Sequence, residues 1–362
     1  GHGEHGHLPF LAHHFDDPEQ QFDSGKLGMW LFLVTEVLFF SGMFCAYALY
    51  RSLHPEVWTF SSQFLNETLG AFNTGVLLFS SLTMAWGVRC AQLRQRTGLV
   101  VCLAMTLGCA AIFLGVKAIE YTHKWELGLL PAGAYESQFL PGIHHEGISS
   151  WLYVLSAVPA LCAVGFAGWY LVSIIKQDKR TAEIAGPLLV TALCYFLGVY
   201  IGIVFESAEA AKHEDQHASS RHVAATDDAG HAEESEHEAG AHDDAEAAAE
   251  HEAVEHHQEA GSTTDTDDHA AASEVASGHL VVIEAKHAEP GAPQAADIDQ
   301  AGGAGLFFSI YYCMTGVHAI HIIGGMIVLT WLLVRATKDQ FNEQYFGPVD
   351  YVGLYWHLVD LI

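Results

Sequence analysis

The feature of this 362-residue chain that most constrains its fold is a set of six long segments almost free of charged side chains. Each is about as long as the ~20 residues that a helix needs to cross a hydrocarbon core of ~30 Å. The segments are residues 27–50, 69–88, 97–116, 150–175, 184–205 and 304–334. The sequence therefore predicts an all-α, polytopic transmembrane helix bundle. A seventh apolar run, from Tyr351 to Ile362, covers only ~18 Å as a helix, and we expect the natural chain to continue it as a seventh span.

The net charge of −28 is concentrated in one part of the chain. Residues 206–300 hold 25 Asp and Glu against three Lys and Arg, a net charge of −22, and they contain no Phe, Trp or Tyr. Such a stretch buries too little apolar surface to offset its ordering entropy, so we expect it to be mostly disordered. The rest of the chain is too apolar for an ordinary soluble enzyme and lacks the Lys and Arg cluster that nucleic-acid binding requires.

Lys and Arg predict the orientation in the membrane. If the chain alternates across the bilayer, nine of these residues flank span ends on one side: Lys26, Arg89, Arg94, Arg96, Lys176, Lys179, Arg180, Arg335 and Lys338. The positive-inside rule then makes the N-terminus cytoplasmic and puts the acidic loop outside. The predicted segments are a His-rich N-terminal part (1–26), three helices (27–124), a loop and helix pair (125–205), the acidic loop (206–303) and two final helices (304–362).

Histidines in the acidic loop are weak candidates for metal binding. Imidazole and carboxylate groups together suit Zn²⁺ or Cu²⁺. Their irregular spacing does not specify one site, and a solvated low-complexity segment with incidental histidines is the alternative. The candidate ligands are His213, His217, His237, His251, His256 and His257. The seven cysteines all lie in or beside apolar spans, so neither disulfides nor thiolate metal sites are expected.

Glu36 is the clearest candidate for a functional residue inside the membrane, where ionisable side chains are costly. It lies about 14 Å into the first span at the usual helical rise. An ionised, unpaired carboxylate there would be strongly destabilising, so Glu36 needs a proton or a partner. His318 and His321 share one face of the sixth span and are the candidate polar partners. A purely structural hydrogen bond between helices is the alternative role for all three residues.

Two more pairs of polar residues have the spacing that places them on one helix face. Lys117 and Glu120 close the third span and predict an ion pair at the membrane interface, and His357 and Asp360 lie in the last run. The sequence contains no phosphate-binding glycine loop and no nucleophile elbow. We therefore assign no catalytic residue.

Five sequence blocks together resemble subunit III of cytochrome c oxidase, of the heme-copper oxidase superfamily, in its bacterial form. They follow the family's order along the chain. The blocks are KLGMWLFLVTEVLFFSGMFCAY, NTGVLLFSSLTMAWG, LGVKAIEYTHKW, LFFSIYYCMTGVHAIHIIGG and YVGLYWHLVDLI.

The resemblance implies an accessory subunit of a proton-pumping terminal oxidase in the bacterial inner membrane, with the acidic loop on the periplasmic side. It implies no cofactor in this chain, heme and copper in the partner subunits I and II, and bound phospholipid. The implied role is to stabilise subunit I, support proton uptake and prolong activity during turnover in aerobic respiration, with electrons passing from cytochrome c to O₂. Glu36 matches the family's carbodiimide-reactive carboxyl group, and His318 and His321 match its TGxHxxH motif. Glu120, His357 and Asp360 are polar residues of the matching blocks.

This chain also departs from the usual seven-helix pattern of the family. The two leading helices of the family have no counterpart before residue 27 of this sequence. We interpret spans 150–175 and 184–205 as an inserted antiparallel hairpin, which we expect to pack against the other five helices. Two other functions stay open at this stage. One is subunit III of a quinol oxidase, and the other is a metal transporter with a His-rich loop. Membership of a respiratory supercomplex is also open.

Overall fold

A computed structural model describes residues 15–131, 150–234 and 303–362. These ranges contain eight helices. They are α1 (Pro18–Leu53), α2 (Pro55–Ser62), α3 (Glu67–Gln92), α4 (Arg96–Glu126), α5 (Ser150–Ile175), α6 (Lys179–Glu234), α7 (Gly303–Thr337) and α8 (Gly347–Leu361). Within these ranges there is no strand apart from one isolated bridge between Asn342 and Tyr345, so the all-α prediction is confirmed.

Six of the described helices are long and apolar enough to cross a membrane: α1, α3, α4, α5, α6 and α7. Their outward surfaces carry many large apolar side chains, such as Leu38 at 68% exposure and Leu161 at 74%. A water-soluble protein would bury such side chains, whereas lipid or a neighbouring membrane subunit can cover them. The prediction of a polytopic helix bundle is thus confirmed.

Polar side chains cap the N-terminal ends of the first and third helices. Asp17 accepts a hydrogen bond from the backbone N–H of Gln20 at 2.7 Å, and Asn66 accepts one from Leu69 N at 2.8 Å. Both satisfy backbone donors that a helix start leaves unpaired. Pro18 then fits the first turn of α1, where its missing N–H costs nothing.

The C-terminal ends of α3, α4, α5 and α7 share one geometry, in which a residue with positive φ reverses the chain. In α3, for example, the N–H of Gln95 donates to Cys90 O at 2.8 Å across the last turn. Of the four reversing residues only the one after α4 is a glycine, which adopts a positive φ without strain. The reversing residues are Arg94 (φ 55°), Gly128 (φ 72°), Gln177 (φ 55°) and Asp339 (φ 52°).

The buried core lies among α3, α4, α7 and α8. Trp356 of α8 is fully buried, and its indole N–H donates to Ser80 Oγ of α3 at 2.8 Å. Thr83 of α3 and Thr106 of α4 form a second buried hydrogen bond of 2.8 Å between their hydroxyl groups. Because lipid does not drive apolar helix faces together as water does, such hydrogen bonds help to fix how the helices pair.

The chain turns on the predicted cytoplasmic side lie at one end of the bundle. Arg96, at the start of α4, donates to Thr337 O of α7 at 2.8 Å and forms an ion pair with Glu183 of α6. Lys26 of α1 pairs with Asp350 of α8 at 3.3 Å. These contacts bring together chain segments that hold or adjoin several of the nine basic residues, as an alternating path across the membrane would require.

The helix pair α5–α6 packs against the other helices, as the sequence predicted. A three-residue connection, 176–178, makes α5 and α6 an antiparallel hairpin. α5 contacts α4, and α6 approaches α4 so closely that a Cβ atom added to Gly115 would overlap the carbonyl oxygen of Tyr195. Gly198 meets the backbone of Ile112 in the same way. Small residues let transmembrane helices approach backbone to backbone.

The helix α6 extends further than the sequence predicted. Its backbone stays helical to Glu234, so the expectation of disorder from residue 206 is wrong for residues 206–234. The composition explains the difference, because the strong helix formers Ala and Glu make up 13 of these 29 residues and no proline interrupts them. The rest of the acidic loop, residues 235–302, lies outside the described residues.

Candidate functional site

The structure brings Glu36 and His321 together. Glu36 Oε2 of α1 lies 3.0 Å from His321 Nε2 of α7, and both side chains are about four-fifths buried. The other ring nitrogen, Nδ1, lies 2.8 Å from Val317 O, one turn earlier on α7. If Nδ1 carries the hydrogen and donates it to this carbonyl, a neutral ring accepts at Nε2 and the carboxyl group donates to it. If the ring carries both hydrogens, the contact is an ion pair.

Aromatic side chains surround this pair. The rings of Phe39 and Phe40 on α1 lie 6.3 and 5.1 Å from the His321 ring, centroid to centroid. Tyr355 of α8 donates its hydroxyl to His321 O at 2.9 Å and so ties a third helix to the same turn of α7. The surroundings hold the imidazole in one orientation, which a group that exchanges a proton with Glu36 requires.

His318 is not a partner of Glu36 in the structure. Its ring contacts that of Phe113 on α4, at 5.5 Å between centroids and tilted by 37°, and its Nε2 atom is buried without a hydrogen-bond partner among the described residues. The i, i+3 spacing places His318 and His321 on one side of α7, but their side chains reach different neighbours. Of the two predicted partners, the structure therefore pairs Glu36 with His321 alone.

Glu120 is the centre of a buried cluster of charged residues, which we call the lysine cluster (Lys117, Glu120, Lys124 and Tyr311). Glu120 accepts from Lys117 Nζ at 2.7 Å and from Lys124 Nζ at 3.0 Å. The hydroxyl of Tyr311 on α7 donates to the same carboxylate, and both ammonium groups lie within 6 Å of the Tyr311 ring centroid. The predicted Lys117–Glu120 pair is present, and Lys124, which is only 3% exposed, is buried beside it.

His357 and Asp360 both reach Ser81 of α3. The Ser81 hydroxyl donates to Asp360 Oδ2 at 2.8 Å, and His357 Nδ1 lies 3.2 Å from Ser81 Oγ. The predicted common face of these two residues is thus turned towards α3. Together with the Trp356–Ser80 bond, this contact fixes the register of α8 along α3.

The candidate metal ligands cannot be placed. His237, His251, His256 and His257 lie outside the described residues, and the side chains of His213 and His217 are likewise outside the described part. In the part of the chain whose side chains are described, no three His, Cys, Asp or Glu residues cluster in a way that could hold a metal ion.

Sequence reasoning missed three contributors to these sites. Lys124 and Tyr311 complete the lysine cluster, and Ser81 links α3 to α8. The i, i+4 spacing of Glu120 and Lys124 was a usable signal, because it places the two residues on the same face. Tyr311 and Ser81 belong to other helices, and no local pattern identifies such a contact.

The chemistry available at the Glu36–His321 pair is proton exchange between a carboxyl group and an imidazole inside the membrane. Neither group lies within a cluster that could ligate a metal among the described residues. In the lysine cluster one carboxylate is in short contact with both ammonium groups, which fits a structural role.

Comparison with known proteins identifies the family. A family model described as cytochrome c oxidase subunit III matches residues 14–171 and 298–362, which is more than half of the chain. The match includes α5 as far as Leu171. Most of this helix, which the sequence analysis interpreted as inserted, therefore lies within the matched region, and residues 1–13 and 172–297 are unmatched.

Individual relatives match over shorter stretches. The "Probable cytochrome c oxidase subunit 3" of Nocardia farcinica is 37% identical over 54 residues, which are 15% of this chain and 27% of that protein. The "Cytochrome c oxidase subunit 3" of Synechocystis is 30% identical over 159 residues, 43% of this chain and 61% of the relative. The "Heme-copper oxidase subunit I+III" of Aeropyrum pernix is 37% identical over 60 residues, 16% of this chain and 7% of the relative.

The matched stretches thus cover less than two thirds of each of these three relatives. No solved structure matches the chain significantly. The family model, however, covers the helices that hold Glu36, His321 and the lysine cluster. The chain therefore belongs to the cytochrome c oxidase subunit III family.

Proposed function

We propose that this chain is an accessory subunit of a proton-pumping heme-copper oxidase, where it supports proton uptake and prolongs the active lifetime of subunit I. The Glu36–His321 pair carries the proposal. A carboxyl group and an imidazole in hydrogen-bond contact inside a membrane can pass a proton between them, and two different helices must be held in position to keep them together.

The proposed partners are subunits I and II of the oxidase, with heme and copper in those subunits and phospholipid at the apolar surface. The name of the Aeropyrum pernix relative, which joins the numerals I and III, favours direct contact with subunit I. Cytochrome c is the proposed electron donor, because the family and the Nocardia and Synechocystis relatives carry that name. A bacterial inner membrane, with the acidic loop outside, is the proposed location.

Glu36→Gln tests this function. Glutamine keeps the size of the side chain and can hydrogen-bond to His321, but it carries no exchangeable carboxyl proton. We expect the complex to assemble and its initial oxygen consumption to change little, while activity decays faster during sustained turnover. A hydrophobic carbodiimide should label the wild-type chain at Glu36 and leave the variant unlabelled there.

Glu56→Gln is the matched control. Glu56 also lies near a histidine, with its Oε1 3.9 Å from His54 Nδ1, but that pair is exposed and lies outside the spans. We expect this variant to keep the wild-type lifetime. If Glu36→Gln abolished oxygen reduction from the first turnover, the accessory role would be wrong. If its lifetime equalled that of the control, the Glu36–His321 pair would have no part in the function.

A further inference from the structure

A cavity of about 350 Å³ opens at the end of the bundle where α1 and α8 begin. This volume falls in the ordinary range for sites that hold small molecules. Aromatic rings, prolines, glycines and uncharged polar side chains line it. The lining residues are Phe15, Pro18, Gln21, Phe22, Ser24, Gly25, Gln344, Tyr345, Gly347, Pro348 and Tyr351.

The aromatic wall of this cavity is built by contacts between its own residues. The Phe22 ring lies 5.8 Å from that of Tyr351, and the Tyr351 hydroxyl donates to Phe22 O at 2.9 Å. Phe346 packs on the far side of this wall, 5.2 Å from Phe22. Two cations of the chain already lie against lining rings: Lys26 Nζ is 5.2 Å from the centroid of Phe22, and the Arg335 guanidinium carbon is 5.5 Å from that of Tyr345. The rings are thus held in place, and their electron-rich faces suit a positive charge.

The charges around the cavity also favour a cation. Asp16, Asp17, Glu19 and Asp23 lie on or next to the first turns of α1, whereas Lys26 is compensated by its ion pair with Asp350. Two helix N-termini meet here and favour anions, but each is equivalent to only about half a positive charge. Arg335, which lies over the Tyr345 ring, adds one positive charge. The four carboxylates, all solvent-exposed, outweigh these positive charges together. The field at the entrance is therefore negative.

The lining itself selects among cations. No carboxylate is among the lining residues, so an ammonium or guanidinium group, which must satisfy three or five N–H donors, would find only two amides and a few hydroxyl groups. A quaternary ammonium has no N–H to satisfy and binds by its methyl groups to ring faces. We propose that this cavity binds a quaternary ammonium group of the choline type. The proposal is independent of the role of Glu36.

Choline and its neutral analogue 3,3-dimethyl-1-butanol are the probes for this site. The intact complex is purified in a choline-free detergent, and binding to the choline methyl groups is followed by saturation-transfer NMR. We expect choline to bind about tenfold more tightly than the neutral alcohol, because only choline carries the charge. Equal affinities would show a merely apolar cavity and would overturn the proposal.

Three variants locate the binding. Phe22→Leu keeps an apolar side chain but removes the ring, and we expect choline affinity to fall about fivefold or more. Asp23→Asn, at an exposed position that does not endanger folding, should lower the affinity about twofold through the weaker field. Phe79→Leu removes a half-exposed ring on α3 and is the matched control, with unchanged affinity expected. Unchanged affinity in both Phe22→Leu and Asp23→Asn would refute the site.

The quaternary ammonium could come from free choline-type compounds or from a phosphatidylcholine headgroup. Nanodiscs of phosphatidylglycerol and of phosphatidylcholine separate these sources. The acidic entrance disfavours the headgroup phosphate, so we expect equal affinity for free choline in both discs. Loss of choline binding in the phosphatidylcholine discs alone would assign the site to the lipid headgroup.

Discussion

Replacing Glu120 by Gln should destabilise this protein strongly, because two ammonium groups share its carboxylate. That carboxylate is only 8% exposed and accepts hydrogen bonds from Lys117, Lys124 and Tyr311. An amide of the same size keeps the packing but removes the negative charge that both ammonium groups contact. The perturbation thus tests charge compensation rather than volume.

The structure fixes the order of magnitude. Removing one partner of a buried ion pair typically costs about 3–5 kcal/mol, because the other charge stays buried without compensation. Lys124, with 4% of its side chain exposed, should bear this cost in full. The Lys117 side chain is 20% exposed and can turn its ammonium group towards water, which reduces its share. Loss of either lysine leaves Glu120 with one partner, so Lys124→Met and Lys117→Met should each cost less than Glu120→Gln.

Thermal denaturation of the purified complex, followed by the loss of this chain from the assembly, measures these differences. Glu183→Gln is the control, because Glu183 forms an ion pair with Arg96 at the surface, where such pairs contribute up to about 1 kcal/mol. The double variant Glu120→Gln with Lys124→Met should recover much of the loss, since it removes the buried charge that Glu120→Gln leaves. If Glu120→Gln cost no more than Glu183→Gln, buried charge compensation would not explain the lysine cluster.

Three further predictions concern the hairpin and its turn. Gly115→Leu should separate α4 from α6 and lower the yield of folded protein, whereas Gly165→Leu on α5, where the added side chain meets open space, should not. Gln177→Gly should stabilise the turn between α5 and α6 by about 1 kcal/mol in thermal denaturation, because its φ of 55° strains a residue with a Cβ. Hydrogen bonds from the Thr181 side chain and backbone lower the pKa of Asp178. The ionised carboxylate therefore stabilises the folded protein at pH values above the ordinary pKa of aspartate, and this stabilisation is lost as the pH falls through the lowered pKa. Asp178→Asn should therefore flatten the acid side of the stability–pH curve.

The fold was largely predictable because each span has a local signature. A membrane helix needs ~20 residues without charge, and the six predicted segments lie within the six apolar helices of the structure. The ends of the helices were harder to predict. The helix α1 begins at Pro18 and α7 ends at Thr337, both beyond the apolar segments. Polar residues such as Asp17, which caps α1, stabilise helix ends outside the apolar segment. The helical continuation of α6 was not predicted, because a low aromatic content indicates little burial but does not oppose helix formation in a stretch rich in Ala and Glu.

The candidate site was predictable only in part. The depth of Glu36 in its span identified it as a residue in need of a partner, and two histidines on one helix face supplied the candidates. Which of them contacts Glu36 depends on the rotation of α7, and Phe113 of α4 takes part in setting this rotation through its ring contact with His318. Contacts between helices far apart in sequence decide such rotations, so one-dimensional spacing could not separate His318 from His321.

The helix α7 links the two polar sites that lie inside the bundle. It supplies His321 to Glu36 and Tyr311 to the lysine cluster, and Thr315 between them accepts or donates a 2.6 Å hydrogen bond with Tyr121 of α4. Apolar contact with lipid gives a helix no fixed rotation, so these three hydrogen bonds hold α7 in position between α1 and α4. A change that turns α7 must break contacts at both sites together. The Glu36–His321 pair therefore depends on the integrity of the lysine cluster, although the two share no residue.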